Sequence, residues 1–172
     1  VDLLVIGGGP GGYAAALNAS RLGRTVSLVE SRLIGGTCLN VGCIPSKALI
    51  EIADLASLGN SSKDLGVKIS TSVDMPTVNK HIKGLVTDLS NGISFLLDKA
   101  KVDVINGTAR FTRPNRVAVE NKEGLLEHLE FRDVIVATGS SPVTLPNLPT
   151  DGKMVVDSEA LLFQDSIPDQ LT

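Results

Sequence analysis

Tryptophan is absent from the 172 residues, and there are only one tyrosine and four phenylalanines. The core must therefore be built mainly from aliphatic side chains. Cysteine occurs twice, too seldom for the disulfide framework of a small secreted domain. A zinc site would want four ligands, and only the distant His81 and His128 could join the two thiols. No apolar run approaches the roughly 20 residues that cross a bilayer, so a membrane partner is not expected. Basic residues do not dominate: Lys and Arg number 16 against 19 Asp and Glu, for a net charge of −3 and a pI near 5.3. That balance argues against nucleic acid as a partner. There is no internal repeat and no low-complexity segment, and a secretion signal is not expected. Free thiols without such a signal suit a reducing interior, a cytosol or a mitochondrial matrix. The missing initiator methionine suggests trimmed N-terminal residues.

What is present is a chain of 18.0 kDa with a mean hydropathy of +0.21, of which 42% is apolar. That is enough for one domain with a sizeable core and leaves room for a stub of another. Its opening is the first motif. Val1 to Ile6 is apolar apart from Asp2, as a buried parallel strand is. Gly7-Gly8-Gly9-Pro10-Gly11-Gly12 follows at once, with G-x-G-x-x-G at Gly7, Gly9 and Gly12. Tyr13 to Leu22 then reads as an Ala-rich helix ended by Gly23, and Thr25 to Val29 as a second strand with Glu30 at its end. Alone the glycine pattern is weak. Between a strand and a helix, with an acid about twenty residues on, it is a dinucleotide fingerprint. Gly7 permits the tight turn, Gly9 admits the pyrophosphate and Gly12 packs helix to strand. The helix N-terminus holds negative charge, and Glu30 accepts from ribose hydroxyls. An acid there disfavours a 2′-phosphate, hence NADP.

The second motif is Gly36-Thr37-Cys38-Leu39-Asn40-Val41-Gly42-Cys43-Ile44-Pro45-Ser46-Lys47, which holds both cysteines. Gly35, Gly36 and Gly42 let the backbone pass close to another group. An apolar helix is predicted to start near Cys43, with Pro45 in its first turn. A thiol there faces unpaired N–H groups and the positive end of the helix dipole, which favour thiolate. Lys47, one turn on, adds a positive charge to the same face. A structural disulfide, a metal site and two unrelated core thiols are the alternatives; a redox dithiol suits the residues best.

Beyond this, Gly59 to Ser72 reads as a surface excursion. Asp74 is a good N-cap for a long helix to Lys101, with Pro76 in its first turn and possible easing at Gly84 or Gly92. Val78, Ile82, Leu85, Val86, Leu89, Ile93, Leu96 and Leu97 form its packing stripe. From Val102 the period changes. Val102 to Ile105 reads as a strand and Gly107-Thr108-Ala109 as a break. Short strands are expected around Phe111, at Val117 to Val119 and at Leu129 to Phe131. Val134 to Ala137 reads as another buried strand, stopped by Thr138-Gly139-Ser140-Ser141-Pro142. The remainder reads as a linker with one short helical segment at Ser158–Phe163.

The sequence resembles the FAD-dependent pyridine nucleotide–disulfide oxidoreductases. G-G-G-P-G-G-Y, a strand-end glutamate, G-G-T-C-L-N-V-G-C-I-P-S-K-A-L, a G-T-A break and a final A-T-G-S occur in that family's order. Leu39, Ile44, Ser46 and Ala48-Leu49 look most like the dihydrolipoamide dehydrogenases; glutathione- and mercuric-reductase types are the alternative. The resemblance implies a Rossmann-like FAD-binding domain of α/β class, with a central parallel sheet and a small antiparallel β-meander. It places Gly7, Gly9, Pro10, Gly11 and Gly12 at the FAD pyrophosphate and Glu30 at the adenosine ribose. Gly36 and Thr37 fall at the phosphates, Ala109 at the adenine, and Thr138 and Gly139 at the A-T-G turn near the cofactor. Cys43 corresponds to the thiol beside the flavin, Cys38 to the interchange thiol, and Lys47 to the lysine beside the flavin N5. The implied reaction oxidises dihydrolipoamide through a Cys38–Cys43 disulfide and FAD, and reduces NAD+.

The departures are also clear. Family members carry a second dinucleotide domain for NAD, a return segment for the FAD domain and an interface domain with a His–Glu pair. None is legible here, and His128 does not match that histidine. Residues 1–142 are thus expected to form the FAD-binding domain, incomplete relative to the family, and 143–172 a linker toward an NAD domain. The implied partners are lipoyl domains of 2-oxoacid dehydrogenase or glycine-cleavage complexes, and a second copy in a full-length homodimer. The 172 residues alone are expected not to turn over, and a non-catalytic FAD-binding module is the other reading.

Overall fold

Two strands of the parallel sheet, Leu3–Ile6 and Val26–Glu30, are buried along their whole length and need cover on both faces, which helices supply on one side and a small antiparallel sheet on the other. The computed structural model describes residues 1–62 and 66–172. In chain order the elements are β1 (Leu3–Ile6), α1 (Pro10–Arg21), β2 (Val26–Glu30), α2 (Gly36–Val41), α3 (Cys43–Ser61) and α4 (Met75–Lys99). They continue as β3 (Asp103–Asn106), β4 (Thr108–Arg113), β5 (Arg116–Glu120), β6 (Leu126–Glu130), β7 (Asp133–Val136) and α5 (Ser158–Leu162). The parallel sheet has the order β3-β2-β1-β7, and β4-β5-β6 form a separate three-stranded antiparallel sheet. This is the Rossmann-like arrangement with a meander that the resemblance implied.

Two compact units divide the chain. The first comprises Val1–Asn40 and Asp88–Ser141, the second Val41–Thr87 and Pro142–Thr172. In the first, β1 and β2 are buried along their whole length. Leu3, Val5, Val26 and Leu28 meet Ala16 of α1 and Leu97 of α4 on one side. Leu4, Ile6 and Val29 meet Val117 and Val119 of the meander and Phe131 on the other. Each such side chain contributes roughly 1.5–3 kcal/mol when fully buried, so β1, clamped on both faces, anchors the unit. In the second unit Ala48 of α3 packs with Val78 and Ile82 of α4, and Phe163 joins them.

Several boundaries differ from the sequence reading. Helix α1 begins at Pro10, where a proline loses no intrahelical bond, and Gly23 follows its end with φ of +83°. Helix α3 continues through Gly59 to Ser61, because an established helix propagates at one hydrogen bond per residue and outweighs one glycine. Residues 66–72 are exposed outside helix and strand, as expected, while residues 63–65 of the expected excursion lie outside the described residues. Helix α4 stops at Lys99, and Lys101 takes a left-handed φ of 55° that ends it. Its buried seam is narrower than the stripe: Leu89 and Leu96 are exposed. The break before the meander is Gly107 alone, since Thr108 and Ala109 already pair in β4. Strand β7 pairs with β1 but lies at the sheet edge, so Ile135 and Val136 are exposed where a buried strand was expected. Helix α2 was not foreseen. No helix among the described residues is long and apolar enough to cross a membrane.

Candidate functional site

The strand–turn–helix at the start of the chain depends on contacts that only glycine allows. Gly7 has φ of +105°, and a Cβ there would overlap the Ala137 carbonyl. A Cβ at Gly12 would overlap the Gly7 carbonyl oxygen, so α1 starts directly against the end of β1. Gly9 is the N-cap of α1 and provides no side-chain cap; no acid occupies the first turn. The first intrahelical bond at this end is Tyr13 N–H to Gly9 carbonyl, 2.9 Å. Backbone N–H groups of the first turn are thus open to an anion. Pro10 and Gly11 are exposed at this end.

Glu30 closes the turn from the side. The residue is 9% exposed; its Oε2 accepts the Gly8 N–H at 2.6 Å and Oε1 the Arg32 N–H at 2.7 Å. Each oxygen retains acceptor capacity for a ligand hydroxyl. Glu30 also lines a cavity of about 110 Å³ with Gly7, Ala109 and Thr138, among others. Four residues singled out from distant parts of the sequence therefore converge on one cavity. It lies at the carboxyl ends of β1 and β2, where open α/β sheets bind ligands. A larger cleft of about 400 Å³ lies at the opposite strand ends, by Ser27 and Asp103. Gly139 follows Thr138 in an exposed turn with φ of +78°.

The dithiol stretch leans on the same glycine turn. Gly36 has φ of +59°, and a Cβ on it would meet the Gly9 Cα at 2.6 Å. Gly35 N–H donates to the Gly8 carbonyl at 2.9 Å. Asn40 Nδ2 donates to the carbonyls of Ile34 (3.1 Å) and Gly36 (2.9 Å), which ties down α2. Leu39 is buried beneath it. Thr37 is exposed on α2, and Cys38 follows, half-buried. Cys38 and Cys43 are bonded in a disulfide. Cys43 is the first residue of α3 and exposed, and Lys47, one turn on, is exposed as well. Pro45 and Ala48 of the same two turns are buried. Among the described residues no group of His, Cys, Asp and Glu could hold a metal.

Sequence reasoning missed the supporting residues. Gly8 orients Glu30, Asn40 braces the loop before Cys38, and Ser90 Oγ donates to the Ile34 carbonyl at 3.1 Å. Asn40 stood in the motif, but no local pattern marks a bond from Ser90 to a loop 56 residues away.

A parallel sheet bearing a glycine turn and a strand-end carboxylate, followed in the chain by a disulfide at the start of a helix, is the make-up of a nucleotide-binding α/β domain with a cysteine pair. The chain belongs to the pyridine nucleotide-disulphide oxidoreductase family, whose profile matches residues 1–171. It is 40% identical over 173 residues to dihydrolipoyl dehydrogenase 3 of Pseudomonas putida, covering 99% of this chain and 37% of that protein. It is 43% identical over 172 residues to dihydrolipoyl dehydrogenase 2 of Haloarcula marismortui, with 99% and 36% covered. Among solved structures, LpdA from Mycobacterium tuberculosis superposes with a TM-score of 0.85 at 30% identity, covering 98% of this chain and 38% of that one. The chain thus spans little more than a third of these relatives' length.

Proposed function

We propose that this chain is the FAD and disulfide half of a dihydrolipoyl dehydrogenase, which oxidises dihydrolipoamide and passes the electrons through FAD to NAD+. The convergence of Gly7, Glu30, Ala109 and Thr138 on one cavity, beside a turn that carries Gly36 and leads to the Cys38–Cys43 disulfide, carries the reading. The open N–H groups of α1 at Gly11 and Gly12, with Gly9, Pro10, Gly36 and Thr37, would receive the pyrophosphate. Glu30 would hold the ribose, with Ala109 at the adenine and Thr138 and Gly139 at the turn closing over the cofactor. FAD, when bound, supplies the two-electron carrier that no side chain provides.

The chain's own chemistry is thiol–disulfide exchange. A substrate thiolate attacks the Cys38 sulfur, forming a mixed disulfide and breaking the Cys38–Cys43 bond. Cys43 leaves as thiolate at the positive end of α3, near the Lys47 charge. The second substrate thiol, losing its proton, attacks the mixed disulfide and releases Cys38. The substrate gains one disulfide and the chain becomes a dithiol, so electrons balance. Residues 1–142 would form the FAD domain and 143–172 the link toward an NAD domain. The partners would be lipoyl domains of 2-oxoacid dehydrogenase or glycine-cleavage complexes, the full-length form a homodimer, and the compartment a cytosol or mitochondrial matrix.

Anaerobic titration with dihydrolipoamide tests the reading. Yellow protein should develop a long-wavelength absorbance band, and Cys43→Ser should abolish it while Cys38→Ser leaves flavin bound. Flavin that ignores dihydrolipoamide in the intact protein would overturn the assignment.

A further inference from the structure

Helix α4 buries one polar residue within an apolar seam: Asn79, 3% exposed, adjoins Val78 at 9% and lies near Ile82 at 0%. Its Nδ2 donates to the Gln164 carbonyl at 3.0 Å and to Asp165 Oδ1 at 3.1 Å, with the Phe163 carbonyl at 3.4 Å. Three acceptors around one atom identify it as the nitrogen. The Oδ1 is buried with no partner among the described residues. A buried unsatisfied acceptor lowers stability, and an apolar side chain would fill the seam without that loss. What the amide adds is direction, because its three acceptors come from three consecutive residues, 163–165.

That placement bears on α3. Phe163, the C-cap of α5, packs in the same cluster as Ala48, Leu49 and Ile52 of α3 and Val78 and Ile82 of α4. Lys83 Nζ stands 6.0 Å from its ring centre. Ala48 is next to Lys47 and lies on the second turn after Cys43. Ala48, with Leu49 and Ile52 after it, thus packs in a core that includes Phe163, while Cys43 and Lys47 are exposed.

We propose that Asn79 is a positioning residue for the redox helix: it pins residues 163–165, and the pinned Phe163 wedges the first turns of α3 in place. Asn79 hydrogen-bonds to residues 163–165 and to neither cysteine, and it acts through Phe163. The inference rests on the dithiol role proposed for Cys38 and Cys43, and its test separates the two.

Asn79→Leu in the full-length, flavin-loaded protein keeps the branch at Cγ, puts bulkier methyls in place of the amide and removes the donors. Two quantities are read: amide hydrogen exchange at Phe163–Asp165, and the glutathione ratio at which half the Cys38–Cys43 disulfide is reduced, by alkylation and mass spectrometry. Exchange should rise roughly tenfold, and the half-reduction ratio should move by at least about threefold. Asp165→Ala, which alters an exposed residue, should move both in the same direction by less. Unchanged exchange in Asn79→Leu overturns the pin. Faster exchange with an unmoved ratio overturns the positioning role. If Asn79→Leu does not fold, Asp165→Ala decides by the same readouts, and no movement in either overturns the proposal. Wild-type disulfide that dihydrolipoamide does not reduce would defeat the functional reading, while exchange at 163–165 would still decide the pin.

Discussion

Gly12 and Gly84 are both helical glycines, yet a methyl group has opposite consequences at the two. At Gly12 it would overlap the Gly7 carbonyl oxygen, whereas at Gly84 nothing lies within 4 Å. Gly12→Ala should therefore cost more than about 3 kcal/mol, since backbone rather than a flexible side chain must yield, and should abolish flavin retention. Gly84→Ala should stabilise by about 0.5–1 kcal/mol through the lost freedom of the unfolded chain. Thermal unfolding of the two variants with flavin content measured beside it checks both; a neutral Gly12→Ala would contradict the packing described. Lys101 poses the complementary case, a side chain held at φ of 55° after α4. Lys101→Gly should raise stability by roughly 0.5–1 kcal/mol in the same assay.

Helix ends show how local chemistry sets element boundaries. The Asp157 side chain caps α5 by accepting the Ala160 N–H at 2.8 Å. Asp157→Ala should lower the local stability of α5 by about 1 kcal/mol, seen as faster amide exchange in 158–163 with global unfolding little changed. The same locality explains what was legible in the sequence. β1, the glycine turn, α1 and β2 were readable because an unbroken apolar run, a glycine spacing and a strand-end acid are all short-range signals. Of the four cavity residues, Gly7 and Glu30 were readable from the fingerprint itself, but Ala109 and Thr138 only through the family resemblance, since nothing near them says that they approach Glu30. α2 was not readable: Gly36–Val41 has no apolar period and owes its shape to the left-handed Gly36, the Asn40 bonds and buried Leu39. β7 looked buried because its residues are apolar, but burial depends on sheet order, which its sequence does not encode. The support from Ser90 and Asn79 likewise crosses more than 50 residues of chain.

At the scale of the whole molecule, the amino ends of β1, β2 and β7 are tied by charge. Asp2 accepts the Thr25 N–H and hydroxyl at 2.9 and 2.8 Å, and Arg24 reaches the Asp2 carbonyl and the Asp133 carboxylate. The Thr25 backbone bond foremost, then its hydroxyl, hold the Asp2 pKa below the ordinary 3.8. A carboxylate lowered by folding stabilises the fold above its unfolded value, near 3.8, and loses that contribution as pH falls through the lowered one. Unfolding midpoints should thus decline below about pH 4, and less steeply in Asp2→Asn; equal slopes would show that Asp2 plays no part. The contact between Gly36 and Gly9 has a consequence of another kind. Backbone rests on backbone there, so the glycine turn and the short helix bearing Cys38 work as meshed gears, and slack in one is felt by the other. Reduced protein stripped of its nucleotide should therefore lose its grip on Cys38, and iodoacetamide should label that thiol severalfold faster than in the loaded form. Equal labelling rates would disengage the gears. Faster labelling of the stripped form would mean an order of maturation in which the nucleotide seats first and the thiols are sheltered from stray oxidants only afterwards.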